Sequence, residues 1–159
     1  AYDPESGLVF GGTSVYGGGG TTPKAERARF FVWDPVGKRK LAQFSPSPDA
    51  DTVVALAVAH GRVFIATSGT PALVVYDIAS RSIVHRGEIP PGRTHDLSLQ
   101  LHTDGLLYGL AGNSIITINP VTYEVQELAQ SPVGISCGWA LTDTGIYFGS
   151  GVHLWRWRW

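Results

Sequence analysis

Cysteine is almost missing from this chain. The only one, Cys137, rules out an internal disulfide framework, and without Cys or His partners at metal spacing it gives no zinc pattern. Charge is also sparse: 16% of the 159 residues are Asp, Glu, Lys or Arg, and the formal net charge is −1. The longest basic stretch is GKRK at 37–40, which reads as a turn, so nucleic acid has no electrostatic case as a partner. No run approaches the 18 apolar residues of a membrane helix, and no membrane partner is expected. The start Ala1-Tyr2-Asp3, without Met or a signal segment, is what a processed or trimmed piece of a longer chain would show. At this length one domain is expected.

Glycine and tryptophan are plentiful instead, with 20 Gly and 5 Trp, which suits an all-β protein with many tight turns. Four segments share a turn glycine followed by alternating apolar residues: GLVFGGTS from Gly7, GRVFIATSG from Gly61, GLLYGLAG from Gly105 and GIYFGSG from Gly145. Three of them are followed by an apolar run that ends in an acidic or amide turn, FFVWDPVGKRK at Asp34, LVVYDIASRS at Asp77 and IITINPVTYE at Asn119. These markers stand 43 and 42 residues apart. Further extended runs flank each pair, so one unit is four short strands in about 42 residues, the period of a β-propeller blade. A β-sandwich would not restate the same glycine and the same Asp/Asn turn at constant distance.

The expected fold is therefore an all-β propeller of about 3.5 to 4 four-stranded blades, at about 1–44, 45–90, 91–131 and 132–159, within one domain or half-domain. KAERAR at 24–29 is the nearest approach to a helical period and falls in a loop. The first blade has only a stub of its inner strand, Ala1 to Ser6. The last, CGWALT, GIYFGSG and VHLWRWRW, reaches a third strand. Trp155 and Trp157 align there with Phe31 and Trp33, Val74 and Tyr76, and Ile116 and Ile118, and are expected to face between blades, with Arg156 and Arg158 on the alternate face. An unpaired edge carrying tryptophans is an aggregation template, so the 153–159 strand is expected to pair with a missing propeller half, either another chain or a second copy. The competing readings are four blades that close by themselves and a membrane-active Trp/Arg tail.

The loop from Thr13 to Arg29, TSVYGGGGTTPKAERAR, is long where its later counterparts are brief. Its four glycines admit close approach of a ligand, but GGGGTTPK lacks the spacing and the following helix of a phosphate loop. Tyr16, Lys24 and Arg27, with Arg29, form an aromatic and cationic set suited to a sugar ring bearing a carboxylate. On the same rim, PPGRTHD places Arg93, His95 and Asp96 at the mouth of the axial channel, where His and Asp suit acid/base work and Arg an anion. Asp96 is better explained by strand-entry turn amides. Ligand-binding candidates are thus Tyr16, Lys24, Arg27, Arg93, His95 and Trp139, with Arg93, His95 and Tyr16 as weak catalytic candidates. No metal ligand and no cofactor is expected. His60 and His102, before turn glycines, are expected to be solvated, and Cys137 to be an inert buried thiol.

The D-x-x-[ST]-x-x element of YDIASRSIV and INPVTYEVQ resembles that of quinoprotein-like and YVTN-type propellers. GLVFGGTSVYGGGGTTPKAERARFFVWDP is similar to a segment of large bacterial secreted propeller proteins associated with polysaccharide breakdown. The first resemblance covers nearly the whole chain and the second about 30 residues. They imply a seven-bladed ring in an extracytoplasmic or secreted setting, but transfer no catalytic residue. The expectation is a ligand-binding or scaffold propeller that recognises carbohydrate as part of a larger assembly. The alternatives are a polysaccharide lyase or glycosidase at the channel mouth, and a protein-protein interaction propeller.

Overall fold

A computed structural model of the chain describes residues 1–16, 22, 25–92 and 94–159, with only the backbone of Thr94 and Asp96. The described residues form fifteen strands and no helix. The first sheet holds β1 (Tyr2–Asp3), β2 (Leu8–Gly12), β3 (Phe30–Asp34) and β4 (Arg39–Phe44). The second holds β5 (Ala50–Ala59), β6 (Arg62–Gly69), β7 (Ala72–Asp77) and β8 (Ser82–Glu88). In the third are β9 (Thr94–Leu101), β10 (Leu107–Ala111), β11 (Ser114–Ile118) and β12 (Val125–Gln130), and in the fourth β13 (Cys137–Thr142), β14 (Gly145–Ser150) and β15 (His153–Trp157). Every pairing is antiparallel between sequence neighbours.

Local chemistry explains why the unit recurs. The four repeat glycines, Gly7, Gly61, Gly105 and Gly145, all have positive φ, a region open to glycine at no steric cost, and each turns the first strand of its sheet into the second. The acidic or amide markers close the turn between third and fourth strands. Asp34 Oδ1 accepts the amides of Val36 and Gly37, Asp77 Oδ1 accepts the amide and hydroxyl of Ser80, and Asn119 Oδ1 accepts the amides of Val121 and Thr122. These bonds hold the Asp77 carboxyl below its ordinary range, with the Ser80 amide the largest cause and the Arg62 charge a smaller one.

The sheets stack face to face through three separate cores. Phe10, Phe30 and Val32 of the first sheet meet Val63, Ile65, Val74 and Tyr76 of the second. Phe64, Leu73 and Val75, on the opposite face of the second, meet Leu99, Leu107, Ile116 and Ile118 of the third. Tyr108, Leu110 and Ile115 of the third meet Ile146 and Phe148 of the fourth, with Trp139, Leu141 and Trp157 packed against them. Each fully buried large side chain contributes about 1.5–3 kcal/mol, so these seams rather than the hydrogen-bond ladders hold the sheets together. Among the described residues no core cluster joins the fourth sheet to the first, and the stack is an open arc rather than a ring of four closing on itself.

The tail takes the register expected of a third strand, with Ile146 opposite Trp157, Phe148 opposite Trp155 and Tyr147 opposite Arg156. Trp157 faces the third core, while Arg156 lies on the other face, its guanidinium carbon 5.4 Å from the Tyr147 ring centroid. No helix of the described residues is long and apolar enough to cross a membrane.

Candidate functional site

The base of the long Thr13–Arg29 loop is strapped across two sheets. Thr13 and Arg29 bond each other through Thr13 N to Arg29 O and Arg29 N to Thr13 Oγ1, both 2.9 Å. The strand direction then continues onto the next sheet. Val15 N donates to Asp51 O and Val53 N to Thr13 O, and the Ser14 and Thr52 hydroxyls lie 2.8 Å apart. The Asp51 carboxylate is the hub of this corner, accepting Ser68 Oγ at 2.6 Å and the Tyr16 hydroxyl at 3.3 Å. Tyr16 is exposed there. Arg27 lies farther along the loop in an open basin of about 510 Å³ shared with Ala25, Glu26 and Arg29. Lys24 and the four glycines lie outside the described residues.

His95 is buried at the start of β9, where its Nε2 donates to the Gly112 carbonyl at 2.8 Å and so carries the ring proton. With Pro91, Gly92, Gly112, Asn113 and Ile135 it lines a small cleft of about 230 Å³. Arg93 is outside the described residues, as is the side chain of Asp96. Trp139 packs against the third core. Among the described residues, no hydrogen bond or ion pair joins Tyr16, Arg27, His95 and Trp139 to one another, so they do not form one site. The same residues contain no group of three His, Cys, Asp or Glu side chains able to hold a metal ion.

Two expectations need correcting. Cys137 is exposed, because the first strand of the fourth sheet has no further sheet against its outer side; its Sγ lies against Gly149 and 3.8 Å from Ser136 Oγ. His102 is not solvated: its side chain is mostly covered, with Nε2 buried and without a hydrogen-bond partner. The covering group is Trp159, whose ring stands 5.3 Å from His102 and 4.9 Å from Tyr108 and whose indole N–H donates to Asp143 O at 2.8 Å. Sequence spacing gives no hint of this, since the last residue folds back onto the neighbouring sheet.

Asp104 completes that cluster. Its carboxylate accepts the Tyr108 hydroxyl at 2.8 Å and lies 3.3 Å from His102 Nδ1. Although burial disfavours its charge, the Leu106 amide, the Tyr108 hydroxyl and His102 together keep the Asp104 carboxyl below its ordinary value. Burial first, then the bond to Asp104 and its charge, push the Tyr108 phenol up to about 12. An unfolded tyrosine ionises near pH ~10, so the fold favours the neutral phenol. That contribution is whole below pH ~10 and is lost as pH rises through ~12. Melting temperature measured across this window is expected to fall more gently in Tyr108→Phe than in the parent; parallel curves would contradict it.

No protein-family model matches this chain, and no curated protein matches it significantly. Solved structures do. The chain is similar to the structure of U3-55K, with a TM-score of 0.64 and 13% identity over 82% of this chain and 40% of that one. It is likewise similar to the crystal structure of RRP9 WD40 repeats, with a TM-score of 0.58 and 13% identity over 80% of this chain and 43% of that one. The fold is a β-propeller. The neighbours are WD40 propellers rather than propellers of the quinoprotein or YVTN type, and at this identity they speak for the fold alone. The chain spans under half the length of either neighbour, in keeping with a partial propeller.

In propeller terms the four sheets are consecutive blades, and the two outward faces of the arc are exposed surfaces of blade interiors. Trp33, Tyr76 and Ile118 hold the same register position, opposite Val9, Val63 and Leu107. Tyr76 and Ile118 are each 1% exposed in their seams, while Trp33, on the free face of the first blade, is 37% exposed. At the other end Leu154, one position before Trp155, is 76% exposed on the free face of the fourth blade, where Leu73 and Ile115, one position before Val74 and Ile116, are 0% and 1%.

Proposed function

We propose that this propeller segment is a scaffold that binds protein, and that its first contacts are further propeller blades covering the free faces of the first and fourth blades. The observation that carries the reading is the contrast just described: side chains at equivalent register are buried inside the arc and bare at its two ends. Tyr2, Phe31 and Trp33 make one free face aromatic; Leu154, Tyr147 and Arg156 make the other mixed. Such surfaces are costly to leave in water and have the composition of interface cores. The missing half is then another chain or a second copy, and β15 is the edge to which it adds a strand.

The experiment is sedimentation of the isolated chain over a concentration series, in which second copies stand in for the absent blades. The parent is expected to associate, and Trp33→Glu combined with Leu154→Glu to remove the association with its melting temperature little changed. A parent that stays monomeric throughout, or a double variant that associates as the parent does, would overturn the proposal.

Carbohydrate recognition, with Tyr16, Lys24, Arg27, Arg93, His95 and Trp139 as its residues, is the second reading. It draws on the exposed Tyr16 and the basin beside Arg27. It is the weaker of the two, because His95 is occupied by the Gly112 carbonyl and Trp139 by the core. The quinoprotein-like kinship and the extracytoplasmic setting rest on the sequence segments quoted above. A catalytic role at the channel mouth has less support still, since His95 Nε2 is bonded to the Gly112 carbonyl and Tyr16 to Asp51, with no hydrogen bond between the two among the described residues.

A further inference from the structure

The turns that follow Asp34, Asp77 and Asn119 share a backbone feature with no glycine in it. Their fifth residues, Lys38, Arg81 and Tyr123, all sit in the left-handed region, with φ of 50°, 55° and 65°. A non-glycine residue there is uncommon, and finding it in three successive blades makes it part of the repeat. What differs is the side chain each turn holds at the lower edge of a seam.

Between the second and third blades that side chain is Tyr123. Its ring centroid lies 5.0 Å from His85 and 6.2 Å from Phe64, with the Arg62 guanidinium carbon 5.5 Å above it. The seam is sealed by an aromatic ring under a cation. Between the third and fourth blades Trp159 does the same work against His102 and Tyr108. Between the first and second blades the equivalent residue is Arg81, and the seam is an open cleft of about 700 Å³. That volume is in the range of about 300–1,000 Å³ typical of ligand sites.

The walls of the cleft show what would fill it. Leu8 stands where Arg62 stands in the next seam, and Ala42 where His85 stands, so the polar partners of Tyr123 are replaced by methyl groups. Leu8, Leu41 and Ile78 line the cleft together with Arg39 and Arg81. The charges are not equivalent. Asp3 accepts the amides of Glu5 and Ser6, and Asp34 takes two turn amides and pairs with Arg39 at 3.7 Å. Among the described residues Arg81 has no carboxylate partner, and Glu5 stands unpaired on the opposite, first-blade wall. A second anion is therefore favoured on the Arg81 side and disfavoured on the Glu5 side.

We propose that the cleft between the first and second blades receives an aromatic side chain from a partner protein, with a neighbouring carboxylate of that partner paired to Arg81. The ring would occupy the place that Tyr123 and Trp159 fill in the other two seams. This interaction is independent of the free faces at the ends of the arc, and the two fail separately: variants of Arg81 are expected to leave the association through Trp33 and Leu154 untouched.

The test uses the full chain with methyl-labelled Leu and Ile and a short capped peptide of tyrosine between two aspartates. Binding is expected to shift the methyl signals of Leu8, Leu41 and Ile78. Replacing the peptide's tyrosine by alanine, or its aspartates by lysines, is expected to weaken binding by ~tenfold or more, which corresponds to ~1.4 kcal/mol. Arg81→Glu should reverse the preference between the aspartate and lysine peptides. Arg81→Tyr, which a turn already holding Tyr123 shows to be tolerated, should abolish binding and raise the melting temperature by sealing the seam. An alanine peptide that binds as well as the tyrosine peptide, shifts confined to residues outside the cleft, or an Arg81→Tyr variant that binds like the parent would each overturn the proposal.

Discussion

Phe30→Ala is expected to destabilise the chain by about 3–5 kcal/mol, the range for emptying a large aromatic site in a core. Phe30 is fully buried at the start of β3, and its ring lies 6.2 Å from Phe10, 5.1 Å from Phe44 and 5.4 Å from Tyr76. Phe10 and Phe44 belong to the same blade, but Tyr76 belongs to the next, so the ring is both the filling of the first blade and its fastening to the second. Emptying it leaves a cavity that stiff β-strands on both sides cannot close. Against a total stability of about 5–15 kcal/mol for a domain, the loss is large enough to release the first blade while the seams beyond it survive. Urea unfolding followed by circular dichroism should therefore show an early partial transition in Phe30→Ala that the parent lacks. Phe30→Leu, which keeps most of the volume, should cost under about 1.5 kcal/mol. Equal midpoints for the parent and the alanine variant would refute this account of the first seam.

Gly145→Ala should be the most damaging of the four repeat-glycine substitutions. Gly145 has φ +139°, and a Cβ there would run into the carbonyl oxygen of Trp157, a backbone atom in the strand paired beside it. Gly7, Gly61 and Gly105 also have positive φ but have nothing within 4 Å of an added Cβ. Alanine at those three sites meets only the backbone strain of about 1–3 kcal/mol. At Gly145 an overlap costing about 1–3 kcal/mol more is added, and the strand that must yield carries Trp157 into the third core. The expected signature is selective: faster amide exchange in β15 and loss of the near-ultraviolet signal of the Trp157–Trp159 pair, whose rings stand 5.2 Å apart at 87°. Gly61→Ala, measured beside it, should leave both unchanged. If the two variants behave alike, the contact with the Trp157 carbonyl does not matter in solution.

Much of this architecture can be read before any coordinates, for a physical reason. The turn glycines and the Asp/Asn markers act on residues within a few positions of themselves, so their spacing reports the strand count and the repeat. The face taken by Trp157 follows from its alignment with Tyr76 and Ile118, because side-chain direction in a strand depends only on parity. Its pairing does not follow from the glycines: it lies opposite Ile146, one residue after Gly145, where Tyr76 and Ile118 lie opposite residues two after theirs. The rim residues are harder. Asp51, at a strand entry, accepts hydrogen bonds from Ser68 and Tyr16, which approach from different elements. The cover over His102 comes from Trp159, 57 positions away in sequence. The left-handed residues at Lys38, Arg81 and Tyr123 escape pattern reading for another reason: nothing in their side chains asks for that conformation, and only the surrounding turn imposes it.

The separation of the three cores governs how damage spreads. A substitution in the second or third blade weakens whichever of its two seams the side chain enters and divides the stack there, whereas one in the first or fourth weakens an end seam and leaves the remainder of the stack intact. Cooperativity along such an array passes only between nearest neighbours. Unfolding then proceeds by peeling from either extremity, and whatever caps the outermost blades sets how tightly the middle ones stay shut.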